Sequence, residues 1–132
     1  MKNPQNNTIK YFIYARKSSE DKEKQVASIE DQLEVLNKIA KQNNIKIVQV
    51  YEESQSAKKP GRPQFTAMLE RIIKGDANGI LCWKLDRLAR NPIDGGQINW
   101  LLQQGTIQII KTNERDYYPS DNVLMMQVEL GM

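Results

Sequence analysis

The 132-residue sequence contains no histidine and a single cysteine, Cys82. Without histidine the chain cannot form a Ser-His-Asp triad or a histidine metal site, and one cysteine cannot form a disulfide or a thiolate zinc cluster. Because Cys82 lies in the apolar run Gly-Ile-Leu-Cys-Trp, we expect a buried structural thiol rather than a nucleophile. Any serine chemistry must therefore be activated without an imidazole.

Long apolar runs are also missing. All of them are far shorter than the roughly 20 residues of a membrane-spanning helix, and residues 1–8 are polar, so they form no signal-peptide core. We therefore expect a cytoplasmic protein with no membrane partner. With 39% apolar and 27% charged residues, the composition is that of an ordinary soluble chain, which predicts one domain over residues 1–132.

The net charge of +3 is small, but the charges are unevenly distributed. Lys58–Arg90 holds eight basic and three acidic residues, whereas Glu20–Leu36 holds six acidic and two basic residues. A basic segment and an acidic segment in one small domain indicate that one side of the domain faces a polyanion and that the other side is remote from it. For the lysines alone, an ordinary solvated surface is the simpler interpretation.

Apolar runs and helical periodicity alternate along the chain. The runs predict strands at Lys10–Ala15, Ile45–Tyr51, Ile80–Trp83 and Thr106–Lys111. Helices are predicted after the N-cap Ser28, from Pro63 to before Gly75, from Asn91-Pro92 to Gly105, and from Val123 into a truncated helix at Met132. The order predicts an α/β layered domain with a mainly parallel sheet of four to five strands flanked by helices.

The predicted inward faces of these helices are apolar. They comprise Ile29, Leu33, Leu36 and Ala40, then Phe65, Met68, Leu69, Ile72 and Ile73, then Ile93, Ile98, Leu101 and Leu102. Lys17–Ala27 lacks such periodicity and is predicted to be a mobile loop, and Glu52–Gly61 is predicted to be a second polar loop.

Three polar segments follow the first three strands. Arg16 and Ser18 end the first strand on the same face, Arg62 ends the loop after the second, and Lys84–Arg90 follows the third. Parallel sheets bind ligands at the carboxyl ends of their strands, and we call this edge the rim. If Lys84–Arg90 is helical, Asp86, Arg87 and Arg90 share one face. An ion-paired surface turn is the alternative for this segment alone.

Four arginines around one hydroxyl suit a phosphate diester. Guanidinium groups match its nonbridging oxygens and stabilise a pentacovalent transition state. The same positive field favours the alkoxide of Ser18, and Asp86 is placed to protonate or anchor the leaving sugar oxygen. The neighbouring Ser19 is the rival nucleophile, but it is expected on the opposite face from Arg16.

Four ordered motifs carry a resemblance to a known family. They are Tyr14-Ala-Arg-Lys-Ser-Ser, Ser28-Ile-Glu-Asp-Gln, Glu53-Ser-Gln-Ser-Ala with Lys59-Pro-Gly-Arg-Pro, and Lys84-Leu-Asp-Arg-Leu-Ala-Arg-Asn. Over nearly its whole length the chain resembles the catalytic domain of serine recombinases, the resolvase/invertase family. The long polar loop before Ser28 and the Gly61-Arg-Pro segment are more similar to large serine integrases and transposon recombinases than to small resolvases.

The resemblance implies a role for each matching residue. Ser18 corresponds to the nucleophile and Asp86 to the active-site aspartate. The phosphate-binding arginines correspond to Arg16, Arg62, Arg87 and Arg90. Gln32, Glu53 and Ser56 match supporting positions, although Gln32 could also be a helix-surface amide and Glu53 a strand-end acid. Tyr14 is expected to brace Arg16.

The resemblance further implies site-specific recombination of double-stranded DNA through a 5′-phosphoserine intermediate, by a homodimer that forms a tetramer, without cofactors. DNA-binding domains are then expected beyond Met132, and residues 123–132 would form a helix docked on their own sheet, shared with partner subunits, or both. A catalytically inactive DNA-binding or assembly module and a hydrolytic phosphodiesterase are the alternatives. A receiver-like signalling domain is excluded because it needs acids where this chain has Arg16-Lys17.

Overall fold

The computed structural model describes residues 9–17, 27–54, 62–89 and 91–121. The strands are β1 (Lys10–Lys17), β2 (Lys46–Ser54), β3 (Gly79–Cys82), β4 (Ile109–Thr112) and β5 (Asp116–Tyr117). The helices are α1 (Ile29–Gln42), α2 (Pro63–Lys74), α3 (Leu85–Leu88) and α4 (Pro92–Gln103). Within the described ranges no helix has the length and apolarity needed to cross a membrane.

The strands form one five-stranded sheet in the order β2-β1-β3-β4-β5. The first four are parallel, and β5 pairs antiparallel with β4. The predicted α/β class with a mainly parallel sheet is confirmed. Because β1 lies between β2 and β3, the carboxyl ends of these three strands meet at the rim, where Arg16 pairs with Glu53 and Tyr14 with Cys82.

The helix boundaries follow local chemistry that the sequence shows. The Ser28 hydroxyl accepts from the backbone N–H of Asp31, and the Asn91 side chain accepts from that of Asp94. Pro63 occupies the first turn of α2, and Gly75 ends this helix in the left-handed conformation at φ 95°. These four predicted signals are confirmed.

Helices cover both faces of the sheet. On one face α2 and α4 pack on Phe12, Tyr14 and Ile80 through their apolar stripes. On the other face α1 packs on Tyr11, Ile13 and Leu81. The buried stripe of α1 is Gln32, Leu36 and Ala40, with Leu33 at its border. Cys82 is buried as predicted, and burial raises the pKa of its thiol, which therefore stays protonated.

Several boundaries and two core residues differ from the predictions. β1 and β2 extend to Lys17 and Ser54, because pairing between the two strands continues into the segments predicted as loops. The two-residue β5 was not predicted. Ile73 and Ile93 are 58% and 83% exposed, so their assignment to the buried faces was wrong. Ile73 follows the buried Ile72 and therefore points away from the sheet, and Ile93 lies on the outer side of α4.

Five parts of the chain lie outside the described residues. They are residues 1–8, 18–26, 55–61, 90 and 122–132. Most of the predicted loop before Ser28, most of the loop before Arg62 and the predicted helix from Val123 therefore lie there. So do the site residues Ser18, Ser56 and Arg90, together with the rival Ser19.

Candidate active site

The carboxyl end of β1 is joined to the turn that carries Asp86 and Arg87. Arg16 is 3% exposed, and its guanidinium donates from Nε to the carbonyl of Arg87 and from Nη2 to that of Asp86, both at 3.0 Å. Arg87, 5% exposed, donates in return from Nη1 to the carbonyl of Arg16 at 3.4 Å. Each arginine thus binds the backbone of the other, and this reciprocal pairing fixes two distant parts of the sequence beside each other.

The carbonyl groups of α3 explain why arginine side chains lie close together at this end of the sheet. A helix leaves its last carbonyl groups without intrahelical partners, and these carry partial negative charge. In α3 the carbonyls of residues 86 and 87 accept from Arg16, and the carbonyl of Leu88 accepts from Arg62 Nη1 at 2.8 Å. Leu85 and Leu88 anchor the turn in the core. The guanidinium groups are therefore held by backbone that is itself rigid.

The helix predicted over Lys84–Arg90 is shorter in the structure. α3 ends at Leu88, and Ala89 has extended backbone at φ −141°. Arg90 lies outside the described residues, so its place beside Asp86 stays a prediction. The Asp86 side chain is 50% exposed, and its Oδ1 accepts from Arg87 Nε at 3.4 Å. A half-exposed carboxylate at the rim remains accessible to a substrate.

Gln32 is completely buried and bonds the strand end with its side-chain amide. Nε2 donates to the carbonyls of Arg16 and Ala27 at 3.0 Å, and Oε1 accepts from the backbone N–H of Arg16 at 3.4 Å. The amide therefore pairs with both backbone groups of Arg16, as a neighbouring strand would. The surface-amide alternative for Gln32 is wrong. Through this amide both stems of the 18–26 segment are attached to α1.

Glu53 is 2% exposed and caps α2 from the neighbouring strand. Its Oε1 accepts from the Tyr14 hydroxyl at 2.7 Å and from the N–H of Phe65 at 2.9 Å, and Oε2 accepts from the N–H of Gln64 at 3.0 Å. The N-cap residue Arg62 makes no side-chain capping bond. Glu53 therefore supplies the negative charge and the acceptors that this helix N-terminus lacks.

Tyr14 links this capping carboxylate to Arg62. Its hydroxyl donates to Glu53 at 2.7 Å and accepts from Arg62 Nη1 at 3.4 Å. Burial, opposed by the charge of Arg62 and reinforced by the bond to Glu53, raises the pKa of Tyr14. A buried, protonated hydroxyl bonded to a carboxylate is a poor nucleophile, which leaves the nucleophilic role to another residue.

Arg62 lies at the start of α2 with its guanidinium 3.9 Å above the Phe65 ring. Nη2 also forms an ion pair of 2.7 Å with Asp94, in the first turn of α4. Asp94 was not predicted as a site residue, because an acidic residue three positions after an N-cap residue such as Asn91 is common at the start of a helix. Among the described residues no group of three His, Cys, Asp or Glu side chains could hold a metal ion.

The structure therefore brings together seven of the ten predicted residues, namely Tyr14, Arg16, Gln32, Glu53, Arg62, Asp86 and Arg87. They form two hydrogen-bonded groups at the rim, Arg16 with Gln32, Asp86 and Arg87, and Tyr14 with Glu53 and Arg62. Both groups bind backbone carbonyls of α3, the second through Arg62 and Leu88. Three buried or part-buried guanidinium groups converge there with one half-exposed carboxylate. Such an arrangement can bind a phosphate group and stabilise charge that develops on it.

Comparisons with known proteins identify the family of the chain. Residues 11–130 match the family model of the resolvase N-terminal domain. A resolvase family site-specific recombinase from Streptococcus pneumoniae is 30% identical, with a TM-score of 0.65 over 93% of this chain and 83% of the other. No curated protein sequence matches the chain.

Two further solved structures share the fold. The N-terminal catalytic domain of TP901-1 integrase is 24% identical, with a TM-score of 0.66 over 92% of this chain and 91% of the other. The C-terminal catalytic domain of ISC1926 TnpA, an IS607-like serine recombinase, is 22% identical, with a TM-score of 0.64 over 92% and 77%. By the family match across almost its entire length, the chain belongs to the resolvase N-terminal domain family and is a serine recombinase catalytic domain.

Proposed function

We propose that this domain cleaves and rejoins double-stranded DNA with Ser18 as the nucleophile. The Ser18 hydroxyl loses its proton and its oxygen bonds to phosphorus, while the bond from phosphorus to the 3′ oxygen breaks. The products are a 5′-phosphoserine ester and a 3′ hydroxyl. Attack by a 3′ hydroxyl on the ester reverses these steps and releases the serine, so no external energy source is needed.

One observation carries the proposal. Arg16, two residues before Ser18, is buried and bonded through its guanidinium to the carbonyls of Asp86 and Arg87. The strand that leads to the proposed nucleophile is therefore attached directly to the turn with the proposed acid. Because these contacts form within the protein alone, the arginines are oriented before DNA arrives, which lowers the reorganisation required in the transition state.

The other residues take roles that suit their surroundings. Arg16, Arg62, Arg87 and Arg90 stabilise the pentacovalent phosphorus, and Asp86, half exposed, protonates or anchors the leaving 3′ oxygen. Gln32 and Glu53 act as positioning residues, and Tyr14 orients Arg62. Ser56 is the remaining supporting residue. The reaction needs no metal and no cofactor in this scheme.

The proposed partners follow from the chemistry of strand exchange. Cutting and rejoining both strands at two DNA sites requires four serines, so we propose a homodimer on each site and a tetramer during exchange. Domains in the resolvase family act on DNA and assemble with copies of themselves, which supports this scheme. A DNA substrate also places the proposed reaction in the cytoplasm.

Trapping the covalent intermediate tests the proposed nucleophile. The full-length protein is incubated with sheared DNA from its source genome, denatured, and digested so that mass spectrometry locates the linked residue. We expect a DNA adduct on Ser18, its loss in Ser18→Ala with DNA binding retained, and normal adduct formation in the control Ser19→Ala. An adduct on Ser19 would reassign the nucleophile.

Two other outcomes would overturn the proposal as a whole. Strand breaks without any linked protein would indicate a hydrolytic phosphodiesterase, and binding with neither breaks nor adducts would indicate an inactive assembly module. In the same assay Arg87→Ala should slow adduct formation roughly 10²- to 10³-fold, since it removes one oriented donor, with little change in DNA binding. Equal loss of both would indicate a simple phosphate clamp.

A further inference from the structure

We propose that Asp94 is a positioning residue that holds the Arg62 guanidinium at the rim. The two side chains form a 2.7 Å ion pair in which Arg62 is 13% and Asp94 24% exposed. This pair connects the start of α2 to the first turn of α4. The catalytic part of the inference rests on the proposed function, whereas the structural part concerns the orientation of Arg62 alone.

Arg62 occupies an electrostatically unfavourable position. It is the N-cap residue of α2, where the helix dipole presents positive charge, and Tyr14 and Leu88 offer it only neutral oxygens. Glu53 neutralises the helix N-terminus but reaches the backbone N–H groups rather than the guanidinium. Asp94 therefore supplies the carboxylate that offsets the charge of Arg62 directly.

The direction of the guanidinium also depends on Asp94. Stacking on Phe65 sets the plane of the group, and the bond to the Leu88 carbonyl fixes one of its nitrogens. Asp94 binds the second terminal nitrogen, so the group cannot rotate within that plane. An arginine side chain has considerable rotamer freedom, which three separate contacts restrict at this position.

Asp94 is itself fixed, unlike the carboxylate of a typical surface ion pair. Its backbone N–H donates to Asn91 Oδ1 at 2.8 Å, and its Oδ2 accepts from Asn91 Nδ2 at 3.1 Å. The same Oδ2 receives the Arg62 bond. Because Asp94 is locked into the first turn of α4, it can transmit the position of that helix to Arg62. Exposed pairs with two flexible side chains lack this property.

The orientation of Arg62 can be measured without DNA. In the nuclear magnetic resonance spectrum of the 132-residue chain, we expect Asp94→Ala to accelerate hydrogen exchange at Arg62 Nη2, the nitrogen that binds Asp94, by roughly tenfold or more, and Asp94→Asn to change it much less because an acceptor oxygen remains. The matched control is Asp76→Ala. It removes the 3.0 Å pair with Arg71 at the other end of α2 and should leave the Arg62 signal unchanged. Unchanged exchange in Asp94→Ala would refute the structural part.

The second measurement follows adduct formation by the full-length protein on the DNA fragments recovered in the trapping experiment. At saturating DNA, Asp94→Ala should slow the reaction roughly 10- to 100-fold, as expected for a displaced catalytic group, while apparent DNA affinity changes less than threefold. Asp94→Asn should recover most of the rate. In an Arg62→Ala background, Asp94→Ala should have no further effect.

The two measurements separate this inference from the proposed function. Absence of any adduct in the unmodified protein would overturn the proposed function, and the exchange measurement would still decide whether Asp94 orients Arg62. A wild-type rate in Asp94→Ala would refute the catalytic role. An additional slowing in the Arg62→Ala background would show that Asp94 only stabilises α4, which also contradicts the proposal.

Discussion

Replacing Glu53 with glutamine should destabilise the domain strongly, although the two side chains have nearly the same shape. Three donors converge on the carboxylate, namely the Tyr14 hydroxyl and the N–H groups of Gln64 and Phe65. A glutamine offers one acceptor oxygen and one donor group. Whichever way the amide is turned, its NH₂ faces at least one of these donors, so a buried N–H or O–H loses its acceptor.

The expected size of the effect follows from these contacts. Loss of one hydrogen bond to a charged group costs about 1.5–3 kcal/mol. Removing a negative charge from a partly buried helix N-terminus costs roughly a further 0.5–2 kcal/mol. We therefore expect the free energy of unfolding to fall by about 2–5 kcal/mol. With a urea dependence of roughly 2 kcal/mol per molar, the unfolding midpoint should decrease by about 1–2.5 M.

Urea unfolding of the 132-residue chain, followed by circular dichroism, measures this midpoint. Glu52→Gln is the matched control, because Glu52 is the preceding residue of β2 and its side chain is exposed. The control should shift the free energy of unfolding by no more than about 0.5 kcal/mol. If Glu53→Gln and Glu52→Gln unfold at the same urea concentration, Glu53 does not cap α2 and the reasoning is refuted.

Two further substitutions test the buried Tyr14 hydroxyl and the buried Gln32 amide. The raised pKa of Tyr14 means that the folded chain keeps this proton above pH 10 while the unfolded chain loses it, so stability present below pH 10 declines by about 1.4 kcal/mol per pH unit above it. Tyr14→Phe should remove the share of Tyr14 from the decline in urea unfolding between pH 9.5 and 11.5, leaving the shares of Tyr11, Tyr118 and Cys82, whose pKa values burial also raises; an unchanged pH dependence would contradict the assignment. Gln32→Leu should lower the free energy of unfolding by about 2–4 kcal/mol, because buried groups of Arg16 and Ala27 lose a partner. Asn37→Leu on the exposed side of α1 is its control, and equal urea midpoints for the two variants would show that the Gln32 amide is dispensable.

Local signals in the sequence predicted most of the framework. Ser28, Pro63, Gly75 and Asn91 act through their own backbone or the next turn, so their effects are readable without tertiary structure. The same signals cannot resolve which of two adjacent apolar residues is buried. Ile73 follows a buried residue and was assigned to the core although it is 58% exposed.

The sequence predicted the site residues that lie near the end of a strand. It did not predict the contacts that depend on how the elements pack. Arg16 and Arg87 could be placed at one edge of the sheet, but their reciprocal backbone bonds depend on the register of β1 against β3. Gln32 shares a spacing of four with Leu36 and Ala40, and this spacing was a readable sign of burial. No comparable signal marks Asp94, because its partner Arg62 is 32 residues away in the sequence.

The Gln32 amide has a consequence for how such domains can diversify. It binds the backbone on both sides of a nine-residue segment, at Arg16 before it and at Ala27 after it. Closing a longer insert between two fixed points costs only about 0.6 kcal/mol for each doubling of its length. Evolution could therefore lengthen or shorten this insert, and change what it touches, while one side chain keeps its entry and exit at the same place on the scaffold.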